Sequence, residues 1–213
     1  AALTRESLLA LARDEGLLVD APKKVDPYLP IVIRSFLGPA SDLTGAAPEN
    51  TLSLTDDFRQ RYLQNGRDWQ STIRPRVESF LVAAAARSRH LRIILDAHAS
   101  IAFLAGTVLD VKSGIAVQLV QKGRVGARIW RADDGTAGAS LVEIVMTGGG
   151  GRDIAVFLSA AQNVAPQARA YTIKARLNVG KTLEFSFTCG PGQQSIAGGA
   201  HGAALADQVA NAV

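Results

Sequence analysis

The chain has 213 residues, 47% of them apolar and 20% charged, with a single cysteine and a formal charge of +4. At this length one core buries roughly 70% of the unfolded chain's surface without staples, and the lone Cys189 excludes both an internal disulfide framework and a Cys-rich zinc site. No apolar run reaches the ~20 residues of a membrane helix, and residues 1–20 are too charged for a secretion signal, so a soluble, cytoplasmic protein with no membrane partner is expected.

The cationic excess is thin and evenly spread. Residues 1–90 hold 12 Lys and Arg against 11 Asp and Glu, and residues 91–213 hold 11 against 8. A duplex-binding module concentrates its cations on one face, so that class is disfavoured. The 17 Arg against 6 Lys suit phosphates and flat bases, although 35 Ala fit GC-rich coding DNA equally well.

Along the chain, residues 3–13 read as a short helix capped by Thr4 and stopped by Gly16. Residues 1–49, with Pro22, Pro27, Pro30, Pro39 and Pro48, read as a linker or lead-in around one apolar patch, Ile31 to Leu37. From residue 50, β and α patterns alternate. Trp69, Ile73, Val77, Phe80, Leu81 and Ala84 form a helical stripe, with Pro75 implying a kink or a later start. Residues 91–95 read as a buried strand, 100–109 as a small-residue helix, 115–120 as a strand and 127–130 as its partner.

Gly148-Gly149-Gly150-Gly151 reads as a hinge between a first lobe, 50–147, and a second lobe, 148–213. No Lys-Ser/Thr follows it, so it is not a phosphate loop. Beyond it a strand is expected at 153–158, a helix at 165–171, a strand at 182–188 and a closing helix from about residue 200. The alternation predicts an α/β fold of two Rossmann-like lobes with mostly parallel sheets. Residues 51–58 parallel 153–160 and the helix at 68–88 parallels the final one. The second lobe is therefore expected to lack a counterpart of residues ~90–131.

The strongest local feature is a strand, then Asp96-Ala97-His98-Ala99-Ser100, then a helix. Open α/β sheets bind ligands beyond the carboxyl ends of their strands, and a helix start favours anions. The small Ala97 and Ala99 leave room for a phosphate near the backbone. Equally, Ser100 caps the helix and His98 satisfies a loop carbonyl. Trp130, beside Arg128 and Arg131, offers a platform for a base, or simply closes the sheet's edge. Ser159, Gln162 and Asn163 end the second-lobe strand and suit base edges or sugar hydroxyls, while Asn163 also suits an N-cap. No catalytic residue and no metal site is expected. Asp96, His98 and Ser100 are too close in one turn to form a triad, and His90, His98 and His201 lack ligand spacing. Asp56-Asp57 and Asp133-Asp134 read as turn acids, and Cys189 as a small apolar residue.

The stretches Asp153-Ile-Ala-Val-Phe-Leu-Ser-Ala-Ala-Gln-Asn163 and His90 to Gly106, the strand end at Trp130, and Leu52 to Arg61 followed by Trp69 resemble the SAVED family over roughly residues 50–213. The resemblance implies two fused CARF-like lobes that sense a cyclic oligonucleotide in bacterial anti-phage (CBASS) signalling. The sensor is joined to an effector such as an HNH or other endonuclease and is activated by homo-oligomerisation. It implies no cofactor, a cyclic di- or trinucleotide as ligand, and DNA contact only through the effector. Phosphates would meet residues 97–100 and nearby Arg; bases would meet Trp130, Ser159, Gln162 and Asn163. The second lobe is expected to lack its C-terminal part. The rival reading is a small α/β enzyme or cofactor-binding domain using the same strand-end cleft, for which the sequence offers no clustered acid–base pair.

Overall fold

The structure is a computed structural model that describes residues 4–15, 26–36, 46–123, 126–147, 150–192 and 195–213. The first helix, α1 (Arg5–Asp14), begins with the Thr4 hydroxyl oxygen accepting the Ser7 amide at 3.2 Å, which satisfies one orphan N–H of the first turn. Gly16 lies outside the described residues, as do Pro22 and Pro39 of the expected lead-in.

The lead-in expectation is corrected at β1 (Leu29–Arg34). Its Ile31, Val32 and Ile33 are fully buried, and it pairs in parallel with β2 (Thr51–Ser53) on one side and β5 (His90–Asp96) on the other. A strand buried on both faces shows a continuous apolar run with no alternation, and flanking prolines hid it. The sheet continues with β6 (Ala116–Gly123), parallel to β5, and closes on β7 (Gly126–Arg131), antiparallel to β6; its order is β2-β1-β5-β6-β7. The chain leaves β1 toward β2 in one direction and β5 toward β6 in the other. The β1–β5 junction is therefore a topological switch point, where open α/β sheets form their ligand crevice.

Two helices cover one face of this sheet. The expected stripe holds: Ile73, Val77, Leu81 and Ala84 are fully buried against Ile31, Ile33, Leu91 and Ile93. Pro75 does not kink the helix. A wide turn at Trp69–Ile73, opened by Asp68 accepting the Ser71 amide at 2.8 Å, precedes α2 (Arg74–Arg87), so the proline falls in the first α-helical turn where its missing N–H costs nothing. The second helix, α3 (Ala99–Val108), adds Ile101, Leu104 and Ala105 to the core. Between β2 and α2 lies a short hairpin, β3 (Phe58–Arg59) with β4 (Tyr62–Leu63). Buried Asp57 ahead of it is ion-paired to Arg67 at 3.2 Å and to Arg76, which ties the turn to α2.

The lobe boundary also moves. β8 (Val142–Thr147) pairs antiparallel with β10 (Val179–Ser186), which pairs in parallel with β9 (Asp153–Ser159); the second sheet reads β8-β10-β9. The passage between sheets therefore lies in residues 132–141, before the glycine tract, of which Gly148 and Gly149 lie outside the described residues. Helix α4 (Ala165–Lys174) carries the β9-to-β10 crossover, and α5 (Gly199–Ala212) buries Leu205 against Leu141, Leu183, Phe185 and Phe187. By position, β9, β10 and α5 repeat β1, β2 and α2, so 153–160 matches β1 and not residues 51–58. Where β1 has β5 beside it, β9 is an edge strand, and Ile154, Val156 and Leu158 remain 40–46% exposed.

The connection 132–141 is fastened along α5. Asp134 accepts the Gly199 and Ala200 amides at 2.7 and 3.0 Å, capping the helix. His201, buried, accepts the Ala197 amide on Nδ1 at 3.1 Å and donates from Nε2 to the Ala139 carbonyl at 3.0 Å. Gln208 pairs with both the N–H and the C=O of Leu141, at 3.0 and 2.7 Å, as a neighbouring strand would. Glycine is required at 199, because a Cβ there would collide with the Arg131 carbonyl oxygen.

Candidate functional site

Both lobes wall a cleft of about 480 Å³ at the carboxyl end of β5. Ile93, Leu95 and Asp96 come from β5; Leu119, Gln121 and Trp130 come from β6 and β7. Leu119 and Trp130 lie opposite each other across the ladder, so both project from the face that carries α2 and α3. Ala160, Ala161, Gly192 and Ile196 close the cleft from the second lobe. The small alanines after β9 leave the hollow open. Such a wall, mainly apolar with a few polar groups, suits a small ligand, for which pockets run to roughly 300–1,000 Å³.

Trp130 is the expected site residue that lines this cleft. The Arg128 guanidinium lies 5.9 Å from its ring centroid, a cation–π contact. The indole Nε1 is buried and has no hydrogen-bond partner among the described residues. The ring surface, not the N–H, therefore meets the cleft.

His98, an expected ligand contact, is bonded on both ring nitrogens within the fold. Its Nε2 lies 3.0 Å from the Gln60 carbonyl, which only accepts, so Nε2 carries the proton. Nδ1 then accepts from the Ser35 hydroxyl at 2.6 Å, while the Ser35 oxygen accepts the His98 amide at 2.9 Å. The imidazole is sandwiched between Phe36 and Phe58, each with ring centroids 4.3 Å away. His98 thus ties the end of β1, the β3–β4 hairpin and the β5–α3 turn together at the switch point, and satisfies a loop carbonyl as the plainer expectation had it. Ala97 packs partly into the first-lobe core, Ala99 and Ser100 are exposed at the start of α3, and no side chain caps that helix.

The second-lobe candidates lie apart from the cleft. Buried Ser159 accepts the Val164 amide at 3.1 Å, and Asn163 accepts the Ala165 amide at 3.1 Å, both ordering the turn into α4. They line a separate hollow of about 240 Å³ with Arg169 and Glu184, themselves 2.7 Å apart. Gln162 is exposed next to them.

Asp133 and Asp134 are both bonded within the fold. Asp133 accepts two bonds from Arg131, at 2.8 and 2.6 Å, which lower its pKa. The Thr136 hydroxyl and amide, with the first amides of α5, hold the Asp134 carboxyl far below the ordinary carboxylate range. Among the described residues no three His, Cys, Asp or Glu side chains gather as a metal site. Residues missed from the sequence are Leu119, Gln121, Ala160, Ala161 and Ile196, whose side chains carry no local chemical signature.

Fold and cleft together define a two-lobed α/β protein with a ligand-sized hollow at strand carboxyl ends. The family model described as "SMODS-associated and fused to various effectors sensor domain" (SAVED) matches residues 73–213, and the chain belongs to that family of sensor domains. CD-NTase-associated protein 4 of Enterobacter hormaechei subsp. hoffmannii (strain UCI 50) is 37% identical over 99% of the chain. Two solved structures of the Acinetobacter baumannii Cap4 SAVED/CARF-domain receptor, with the cyclic trinucleotides 3′3′3′-cAAA and 2′3′3′-cAAA, share the fold over 96% of the chain. Their TM-scores are 0.53 and 0.52, at 16% and 17% identity. The chain spans 42% of the curated relative and 42% and 41% of the two solved chains. Among the described residues no helix is long and apolar enough to cross a membrane.

Proposed function

We propose that this chain is the sensing domain of a cytoplasmic CBASS effector and binds a cyclic di- or trinucleotide without turning it over. The observation that carries the reading is the cleft walled by both lobes, with Trp130 on one side and Ala160 and Ala161 on the other. A ring-shaped ligand with several bases has faces to offer to both walls. Its bases would stack on Trp130, and its phosphates would meet Arg128 and the turn at Ala97–Ser100, of which Ala99 and Ser100 are exposed. Ser159, Gln162 and Asn163 would contact the part of the ligand that reaches beyond Ala160. The solved relatives named above hold cyclic trinucleotides, which favours a trinucleotide here.

A ligand that bridges two walls changes a conformational or assembly equilibrium by its difference in affinity for the two states. On this reading the assembled state, a homo-oligomer, switches on an attached endonuclease, and DNA is touched only by that effector. Isothermal titration of the chain with a panel of cyclic di- and trinucleotides is expected to give saturable heat with one of them. No heat across the panel would end the proposal, and turnover of any member would favour the rival enzyme.

A further inference from the structure

Among the described residues the cleft wall brings one carboxylate, Asp96, and no cation. Asp96 itself is balanced by Arg34 at 3.6 Å. A cyclic oligonucleotide carries one negative charge per nucleotide, so its countercharge has to come from the rim. Arg128, above Trp130, is one such group.

Two more lie in the β3–β4 hairpin, which is tied to the turn after β5 through Gln60. His98 lies two residues beyond Asp96, at most about 7 Å of extended chain, and its Nε2 holds the Gln60 carbonyl at 3.0 Å. Gln60 is the turn residue between Arg59 and Arg61 and adopts a left-handed φ of 57°. Phe58 and Leu63 face each other across the hairpin and pack into the core, which turns Arg59 and its partner Tyr62 outward. Arg59, Gln60 and Tyr62 border an open hollow of about 500 Å³. Arg59 and Arg61 are exposed and enter no ion pair among the described residues, whereas nearby Arg67 and Arg76 are spent on buried Asp57. The hairpin is therefore a cationic arm with an aromatic ring, fixed to the switch point by one histidine.

Resting on the ligand reading above, we propose that Arg59 and Arg61 form a phosphate-binding wall for the cyclic oligonucleotide, positioned through His98. Guanidinium groups suit this because they are always charged and can grip phosphate oxygens in pairs. The test is titration of the chain with 3′3′3′-cAAA at several salt concentrations. The double variant Arg59→Gln/Arg61→Gln is expected to bind about tenfold or more weakly. Its plot of log affinity against log salt should flatten by roughly one unit for each guanidinium taken away from a phosphate. Arg152→Gln, an exposed charge at the amino end of β9, should leave the slope in place, and Arg61→Lys should retain most of it. Unchanged thermal unfolding of the double variant controls for folding, since both side chains are exposed. Tight binding by the double variant with an unaltered salt slope would overturn the phosphate wall and leave the sensing function standing. No binding by the wild-type chain would overturn both.

Discussion

Replacing His98 by alanine separates an anchoring imidazole from one that touches ligand. The change removes the bonds to Ser35 and Gln60 and both ring contacts, with Phe36 and Phe58. Neutral hydrogen bonds contribute about 1 kcal/mol each, and aromatic pairs about 0.5–1.5 kcal/mol. At a half-buried position the loss comes to about 3 kcal/mol. For a chain of this size each kcal/mol moves Tm by about 2–4 °C, so thermal unfolding should fall by about 6–12 °C. His98→Phe keeps the stack and should recover about half. Hydrogen exchange gives the local reading: the Gln64 amide, bonded to the Asp57 carbonyl at 2.9 Å, should lose protection as the hairpin loosens. A His98→Ala protein with Tm within about 2 °C of wild type and unchanged exchange at Gln64, yet with ligand affinity abolished, would refute the anchoring account.

The fastening of residues 132–141 along α5 yields three more expectations. Gln208→Ala strands both backbone groups of Leu141 and should cost about 2 kcal/mol in chemical denaturation; an unchanged midpoint would remove Gln208 from the clamp. Gly199→Ala drives a methyl into the Arg131 carbonyl, so α5 must shift, and the variant should unfold at markedly lower denaturant; Gly202→Ala, whose methyl would rest 3.6 Å from Ile196, should not. Asp134 is held ionised by Thr136 and the start of α5. Its folded pKa lies below the unfolded value near 3.8, so its stabilisation is complete above about pH 5 and fades as pH falls through the acid range. Asp134→Asn should flatten that acid limb of stability against pH, and an identical limb in the variant would contradict the capping role.

Much of the fold is written in local pattern. The α2 stripe and the β5–α3 unit follow from apolar spacing, because each buries one face within its own stretch; β9, α4 and β10 follow from their alternating strand and helix patterns. β1 escaped because Ile31, Val32 and Ile33 are buried on both faces and Pro30 stands at the second position of the strand. β8 carries no strand expectation, and its partner, β10, lies more than thirty residues on, past a glycine tract that resembles a boundary. Of the cleft wall, Trp130 and the β5 carboxyl end were legible. Local sequence gives no sign of which way His98 turns, since Ser35 is 63 residues away. Nor does it reveal that Asp134, His201 and Gln208 each bond a partner more than sixty residues away. Ala160 and Ala161 matter by being small, which is a property of the space around them.

In the proposed sensor, ligand occupies the hollow faced by Trp130. Trp69 and Trp130 are the chain's two tryptophans, so a Trp69→Phe protein reports on Trp130 alone. Titrating it with 3′3′3′-cAAA should change the indole fluorescence saturably, at the same midpoint as the heat of binding. Saturable heat with a flat Trp130 signal would put the ligand elsewhere and contradict the account.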